Sequence, residues 1–280
     1  MAATAPQTQY RQEFIATFEE KQSWLRSTCV TEAVIKGNTA TFLVAGSGGA
    51  TAVTRGVDGL IPARADSLTQ TSATLAEWHD LVRKSGFNIF QSQGDQRRIM
   101  QETTVAVINR KIDADIIAQL DTATVDTGAT GTMDLMKVMK SIAILGVAEV
   151  PVQEEENMFG LITPAALAYL MQIDEFSSSD YIENKPLVGP SRRMRRWAGV
   201  NWIMHPNLTG VGTASEKCYI YHRNSIGHAM ATGAEMQTAI GYDEEQDYSY
   251  ARASGYFGSK LLQNSGVVQI LHDGSAFVGS

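Results

Sequence analysis

Apolar residues recur at helical spacing in an early segment, YRQEFIATFEEKQSWLRS, where Phe14, Phe18 and Leu25, and less regularly Trp24, share one face while Glu19, Glu20 and Lys21 lie off it. The spacing predicts an amphipathic helix behind a loose polar tail at residues 1–9. A lone helix of this length is marginal in water and must dock on something. From Val30 to Thr74 the texture turns to β-branched residues broken by glycine, in AVIKGNTATFLVAG and SGGATAVTRGVDGLIPAR. Short strands separated by KGN and GSGG read as a long two-stranded hairpin, too poor in apolar residues to build its own core and therefore expected to extend from the body.

Helical period returns after SATLAEWHDLVRKSGFNIFQSQ. Ile99, Val105, Ile108, Ile112, Ile116 and Leu120 form a stripe, while Arg97, Arg98, Glu102, Arg110, Lys111, Asp113 and Asp115 fall largely elsewhere. A helix of roughly 25 residues here is about 35–40 Å long. DTGATGT breaks it, and TMDLMKVMKSIAILG predicts a second helix with Met136, Met139 and Ile142 to Ile144 on its apolar side. NMFGLITPAALAYLMQI reads as a strand followed by a helix that starts at Thr163 and Pro164, with threonine capping and proline in the first turn. GVNWI is a strand, CYIYHRNSIGHAM alternates as one, with Gly227 free to bend or to admit a close neighbour, and VVQIL closes the chain. No fixed-period repeat or long low-complexity linker occurs, so two sub-domains interrupted in sequence fit better than two beads on a string.

The balance of 44% hydrophobic and 19% charged residues is that of a folded globular chain. A net charge of −7 argues against a surface built mainly to grip phosphate. Cys29 and Cys218 have no CxxC and no histidine at metal-ligand spacing, and are expected to be buried reduced thiols. The first residues lack the basic start and apolar run of a signal peptide. No apolar stretch approaches the roughly 18–20 residues needed to span a bilayer, so no membrane partner is expected.

Catalytic motifs are missing. Gly46, Gly48 and Gly49 in AGSGGATAVTRG lack both the Lys-Ser/Thr of a phosphate loop and the G-x-G-x-x-G of a dinucleotide turn, and read as hairpin. The acidic runs Glu154 to Glu156 and Asp243 to Glu245 lack the alternate spacing of a calcium loop. No serine lies in GxSxG, and the five histidines make no HExxH; His222 and His228 read as interface or surface groups. No catalytic residue, cofactor or metal site is expected. The densest basic patch, Arg192, Arg193, Arg195 and Arg196, suits an inter-subunit contact with the acidic runs, with sequence-blind phosphate contact to DNA as the alternative. Arg55, Asp58, Arg64 and Asp66 are the hairpin's candidates for inter-subunit ion pairs.

Between Ser178 and Ile270 the ordered stretches SSDYIENKPLVG, GVNWI, CYIYHRNSIGHA and DYSYARASGYFGSKLLQNSGVVQIL resemble the closing half of a tailed-phage major capsid protein of the Hong Kong 97 type, in its short-chain subgroup. Gly199, Val200, Asn201, Trp202, Ile203 and Pro206 fill the family's apolar-glycine-aromatic strand, and Lys260 and Leu261 its basic residue with leucine. The basic-leucine-proline ending is altered here to His205-Pro206-Asn207-Leu208. The resemblance implies an α+β Hong Kong 97-like fold: an N-terminal arm at 1–37, an extended E-loop hairpin at 38–75, a peripheral domain at 76–131 and 236–280 whose spine helix covers about 95–121, and an axial domain at 132–235. The implied function is self-assembly into pentamers and hexamers that form an icosahedral virion head around double-stranded DNA, built in the host bacterial cytoplasm. Implied partners are other copies of the chain, a separate scaffolding protein, a portal protein, a decoration protein, and packaged DNA contacted without sequence preference. Lys36 and Asn38 carry no motif for the covalent cross-linking of some such shells, and none is expected. A nanocompartment shell of the same fold, an α/β enzyme, and a tail or decoration protein are the rival readings.

Overall fold

The protein is described here by a computed structural model, covering residues 21–34, 36–91, 95–174, 194–233 and 236–278. The expected amphipathic helix and the SSDYIENKPLVG stretch therefore fall largely or wholly outside the described residues. Strands β1 (Val30–Val34), β9 (Ile226–Ala231), β11 (Tyr248–Leu261) and β10 (Gln237–Asp243) lie in that order in a first sheet, and β4 (Ala76–Ser85) also pairs with β11. A second sheet has the order β12 (Val267–His272), β8 (Glu216–His222), β5 (Met158–Ile162), β7 (Val200–Met204) and β6 (Met194–Trp197). The chain fills most of the second sheet between two visits to the first, then returns to it for β12, as an α+β fold of interrupted sub-domains requires.

The long helix α2 spans Gln96–Leu120, 25 residues as its periodicity predicts. Asp95 caps its start by accepting from the Arg98 amide. Its last carbonyls meet an unusual partner: the Gln269 amide, reaching across from β12, donates to the carbonyl oxygens of Leu120, Asp121 and Ala123 at 3.2, 3.0 and 2.8 Å. Ile108, Ile112, Ile116 and Leu120 are buried as expected, but toward the N-terminus the buried positions are Gln96, Met100, Thr104 and Ala106, while Ile99 and Val105 are only half-buried.

The second sheet is covered on both faces. Phe159, Leu161, Ile203, Tyr219, Tyr221 and Val267 point toward α2 and the first sheet. Their sequence neighbours Met158, Ile162, Trp202, Cys218, Ile220 and Val268 point the other way, onto α3 (Leu135–Val147) and α4 (Pro164–Leu170). A sheet sandwiched this way needs apolar residues at consecutive positions, which is why MFGLI and CYIY read as unbroken apolar runs. Gly160 is required here, because a Cβ would lie 2.6 Å from the Trp202 ring. Thr163 caps α4 through the Ala166 amide, with Pro164 in the first turn, as expected.

Three expectations are corrected. CYIYHRNSIGHAM forms two strands, β8 and β9, because a turn of 3-10 helix at Arg223–Ser225 carries the chain from one sheet to the other. The hairpin pairs β2 (Thr39–Gly46) with β3 (Ser67–Thr74); KGN separates it from β1, which joins the first sheet, and GSGG opens a long tip loop. In α3 the buried face is Val138, Ser141 and Leu145, with Ile142 and Ile144 half-buried, whereas Met136 and Met139 are exposed.

Candidate assembly surfaces

The β2–β3 hairpin is anchored at one end only. Ala40, Phe42 and Ala73 pack with Ala229 of β9. Phe42 lies over Gly227, where a Cβ would come within 2.8 Å of its ring, so Gly227 serves the close approach that its sequence position allows. Leu75 donates its amide to the Asn38 carbonyl at 2.8 Å, closing the neck beside the exposed Lys36 and Asn38. Beyond this base the strands alternate toward solvent, and residues 47–66 form a tip loop exposed throughout. The loop is folded back on itself locally: the Gly56 amide donates to the Leu60 carbonyl at 3.0 Å and Gly59, at a φ of 72°, makes the turn. Val53, Val57, Leu60 and Ile61 are exposed on it, and Leu43 and Leu68 on its stem.

Arg55, Asp58, Arg64 and Asp66 all stand on this exposed loop. Asp66 accepts from the Ser67 amide at 3.1 Å, and Arg55, Asp58 and Arg64 have no ion-pair partner among the described residues. The second arginine group is split. Arg192 and Arg193 lie outside the described residues, Arg195 is on β6 paired across to Trp202, and Arg196 is exposed with its guanidinium 3.3 Å from Glu155 and 3.3 Å from the Asn201 side-chain oxygen. Glu155 belongs to one of the acidic runs, so this pairing is within the chain. In the other run, Asp243 turns inward to accept the Glu245 and Gln246 amides at 3.0 and 3.1 Å.

Behind these surfaces the sub-domains are joined by buried and half-buried polar groups. Asp113, buried on α2, accepts from the Ser23 hydroxyl at 2.6 Å and the Trp24 and Leu25 amides at 3.2 Å each, and faces His205 Nε2 at 3.4 Å. One carboxylate thus fixes the root of the N-terminal segment, the long helix and the end of β7. Asp121, just past α2, accepts from Thr209, from Lys217 at 3.0 Å and from Tyr219 at 2.6 Å. Burial pushes its carboxyl up, but these three hydrogen bonds and the lysine charge outweigh it and hold it below the usual carboxylate range. Glu216, fully buried at the start of β8, accepts from Thr163 and from the Gly212 amide, both at 2.6 Å, and faces His272 at 3.6 Å. Gly274 leaves its room, since a Cβ there would meet the carboxyl at 2.4 Å.

The histidines correct the sequence reading. His222 and His228 are buried, as are His205 and His272. His222 faces Glu154 at 3.7 Å and His228 Nδ1 meets the Ser259 hydroxyl at 3.0 Å. Cys29 and Cys218 are free and buried, as expected, with burial pushing each thiol up to about 12, which leaves them unreactive. Among the described residues no three His, Cys, Asp or Glu side chains gather closely enough to hold a metal ion, and no helix is long and apolar enough to cross a membrane.

A sequence model of a family described as phage capsid protein matches residues 2–274. No curated protein sequence matches. Among solved structures, one of Mycobacterium phage Che8 superposes with a TM-score of 0.76 at 14% identity, covering 96% of this chain and 98% of that one. The capsid of cyanophage P-SCSP1u gives 0.71 at 12% identity over 95% and 92%. The capsid of cyanophage Pam1 gives 0.70 at 11% identity over 100% and 99%. At these identities the likeness is one of fold.

Proposed function

The chain belongs to the phage capsid protein family and is a major capsid protein, and from that premise we propose that it closes into pentamers and hexamers that build an icosahedral head around double-stranded DNA. The observation that carries this reading is the hairpin: a base locked into the core and a tip with exposed Val53, Val57, Leu60 and Ile61 that the described residues leave uncovered. Apolar side chains held out on a tethered stem are suited to lying across a neighbour. In this reading residues 38–75 are the E-loop and residues 1–37 the arm. The first sheet with α2 is the peripheral domain, and the second sheet with α3 and α4 the axial domain. The division then follows the sheets, placing β9 in the peripheral domain and β12 in the axial one.

Arg55, Asp58, Arg64 and Asp66 meet charges on the neighbour beneath the hairpin, and Arg192, Arg193 and Arg195 extend an inter-subunit patch in which Arg196 is already tied to Glu155. Each exposed pair is weak, and the sum over a closed lattice makes the shell stable. Scaffolding, portal and decoration proteins are further partners, DNA touches the inner wall without sequence preference, and assembly takes place in the host cytoplasm. The chain's role is architectural, with no catalytic step.

Electron microscopy and light scattering on the purified chain test this. Closed polyhedra, or stable rings of five or six, are expected. A monomer or dimer that persists after scaffolding protein and crowding agents are added would sink the reading.

A further inference from the structure

Strand β9 is held on both faces. Successive side chains of a strand point to opposite sides, and Gly227 and Ala229 lie under the hairpin base formed by Ala40, Phe42 and Ala73. His228, between them, points inward and is fully buried. Among the described residues β1 pairs with no strand but β9, and residues 35–38 alone separate it from the hairpin, so β9 seats both. β9 itself meets β11 only over Phe257–Leu261. On the inner face His228 Nδ1 lies 3.0 Å from the Ser259 hydroxyl, and Asp115 takes hydrogen bonds from that serine. The hydroxyl has one proton and the carboxylate is its stronger acceptor, so Nδ1–H donates to the serine oxygen. Nε2 is then a bare lone pair, buried with no hydrogen-bond partner among the described residues. A second proton on the ring goes there, and nothing accepts it.

We propose that His228 is an acid-sensitive latch on the hairpin: a neutral ring keeps β9 seated with the hairpin base on its far face, and a protonated ring unseats β9 together with β1 and that base. The latch does not depend on the shell-forming function proposed above. The charges around the ring come from several elements. The 3-10 turn Leu25–Thr28 brings Arg26, which opposes a charged ring, and α2 brings Asp113, which favours one. Asp115 stands behind Ser259 with Lys111 near it, the ammonium 3.9 Å from the centre of the Trp78 ring. β1 sets Thr31 beside His228 and Glu32 beside Ala229, while Lys260 of β11 is paired with Gly227 and exposed. The hairpin base contributes no charge. In the seated strand burial pushes the ring down to about 4, Arg26 adding to this and Asp113 opposing it. Once β9 lifts, the ring takes a proton at its ordinary 6.5. Opening is therefore hardest above pH 6.5 and becomes progressively easier as pH falls toward about 4. Asp115 works in the opposite sense, because burial raises its carboxyl and its protonation favours the seated strand.

The test is amide hydrogen exchange on the full chain, corrected for the intrinsic rate at each pH, in the wild type and in His228→Gln, whose side-chain amide can take the place of Nδ1–H. Asp115 is present in both, so the comparison isolates the histidine. Between about pH 7.5 and about pH 5 the wild type is expected to lose roughly thirtyfold more protection than the variant. The loss is expected in step across β9, β1 and the hairpin base at residues 39–42 and 71–74, while β5, β7 and β8 keep their protection. Wild-type protection that does not change with pH, an equal fall in both proteins, a fall in β9 that leaves the hairpin base protected, or a fall that takes both sheets together would each overturn the latch. If His228→Gln does not fold, the wild type alone decides: the latch stands only if those three elements lose protection in step and ahead of the second sheet. Each of these outcomes leaves the shell-forming function where it is.

Discussion

Asp113 satisfies a hydroxyl and two backbone amides, and Asp113→Ala would remove the acceptor from all three, among them the buried Leu25 amide. The expected loss is about 2–4 kcal/mol in urea unfolding, with Asp113→Asn, which keeps an acceptor oxygen, losing less. His228 gives the subunit a pH dependence. Burial pushes its imidazole down to about 4, the Arg26 charge adds to that and Asp113 opposes it. The folded state thus demands a neutral ring, while the unfolded chain takes up a proton near 6.5. Its contribution is fully present above pH 6.5 and is lost progressively as pH falls toward about 4, amounting to roughly 3 kcal/mol. Unfolding free energies measured across that range are expected to fall in the wild type and to fall less steeply in His228→Gln. None of Asp113, Glu216 or the buried histidines was legible as such in the sequence. A polar residue in an apolar pattern reads as a solvated position unless its partner is known, and these partners lie far off in the chain: Ser23 and His205 for Asp113, Thr163 and His272 for Glu216.

At the scale of elements, local chemistry was sufficient where both signals sat in one stretch. The α2 period, the Thr163-Pro164 start of α4 and the strand GVNWI each carry their own cap or alternation, and each is found where it was read. The failures share another cause. α3 is apolar on two sides, so its period alone could not say which side meets the core. The run from Cys218 to Ala229 stays buried through a change of sheet, with only Arg223 and Asn224 exposed between the two strands, so the sequence pattern gives no sign of where one sheet is left for the other. Of the candidate contact residues, the exposed loop position of the hairpin four was legible through glycine-rich, charged texture, whereas Arg196 finding Glu155 required the tertiary fold. The hairpin base offers an element-level test. Gly227→Ala places a methyl within 2.8 Å of the Phe42 ring and is expected to cost about 1–3 kcal/mol. Adding Phe42→Ala should relieve part of that strain, so the double-mutant cycle is expected to be non-additive.

For the whole molecule, the division is between surfaces that hold the subunit together and surfaces that its fold leaves unused. Residues 50–63 of the tip contribute nothing to the three buried clusters. Replacing them with a short glycine-serine turn is therefore expected to leave subunit unfolding within about 0.5 kcal/mol of wild type, while closed particles disappear from electron micrographs. The parallel pairing of β1 with β9 has a consequence in time. Val30 lies beside Gly227, roughly 200 residues later in the chain. At about 5–20 residues per second a ribosome takes roughly 10–40 s to cover that interval. The sheet to which the projecting hairpin is anchored closes only when most of the polypeptide has emerged, so the hairpin gains its footing late in synthesis, long after its own residues have left the ribosome.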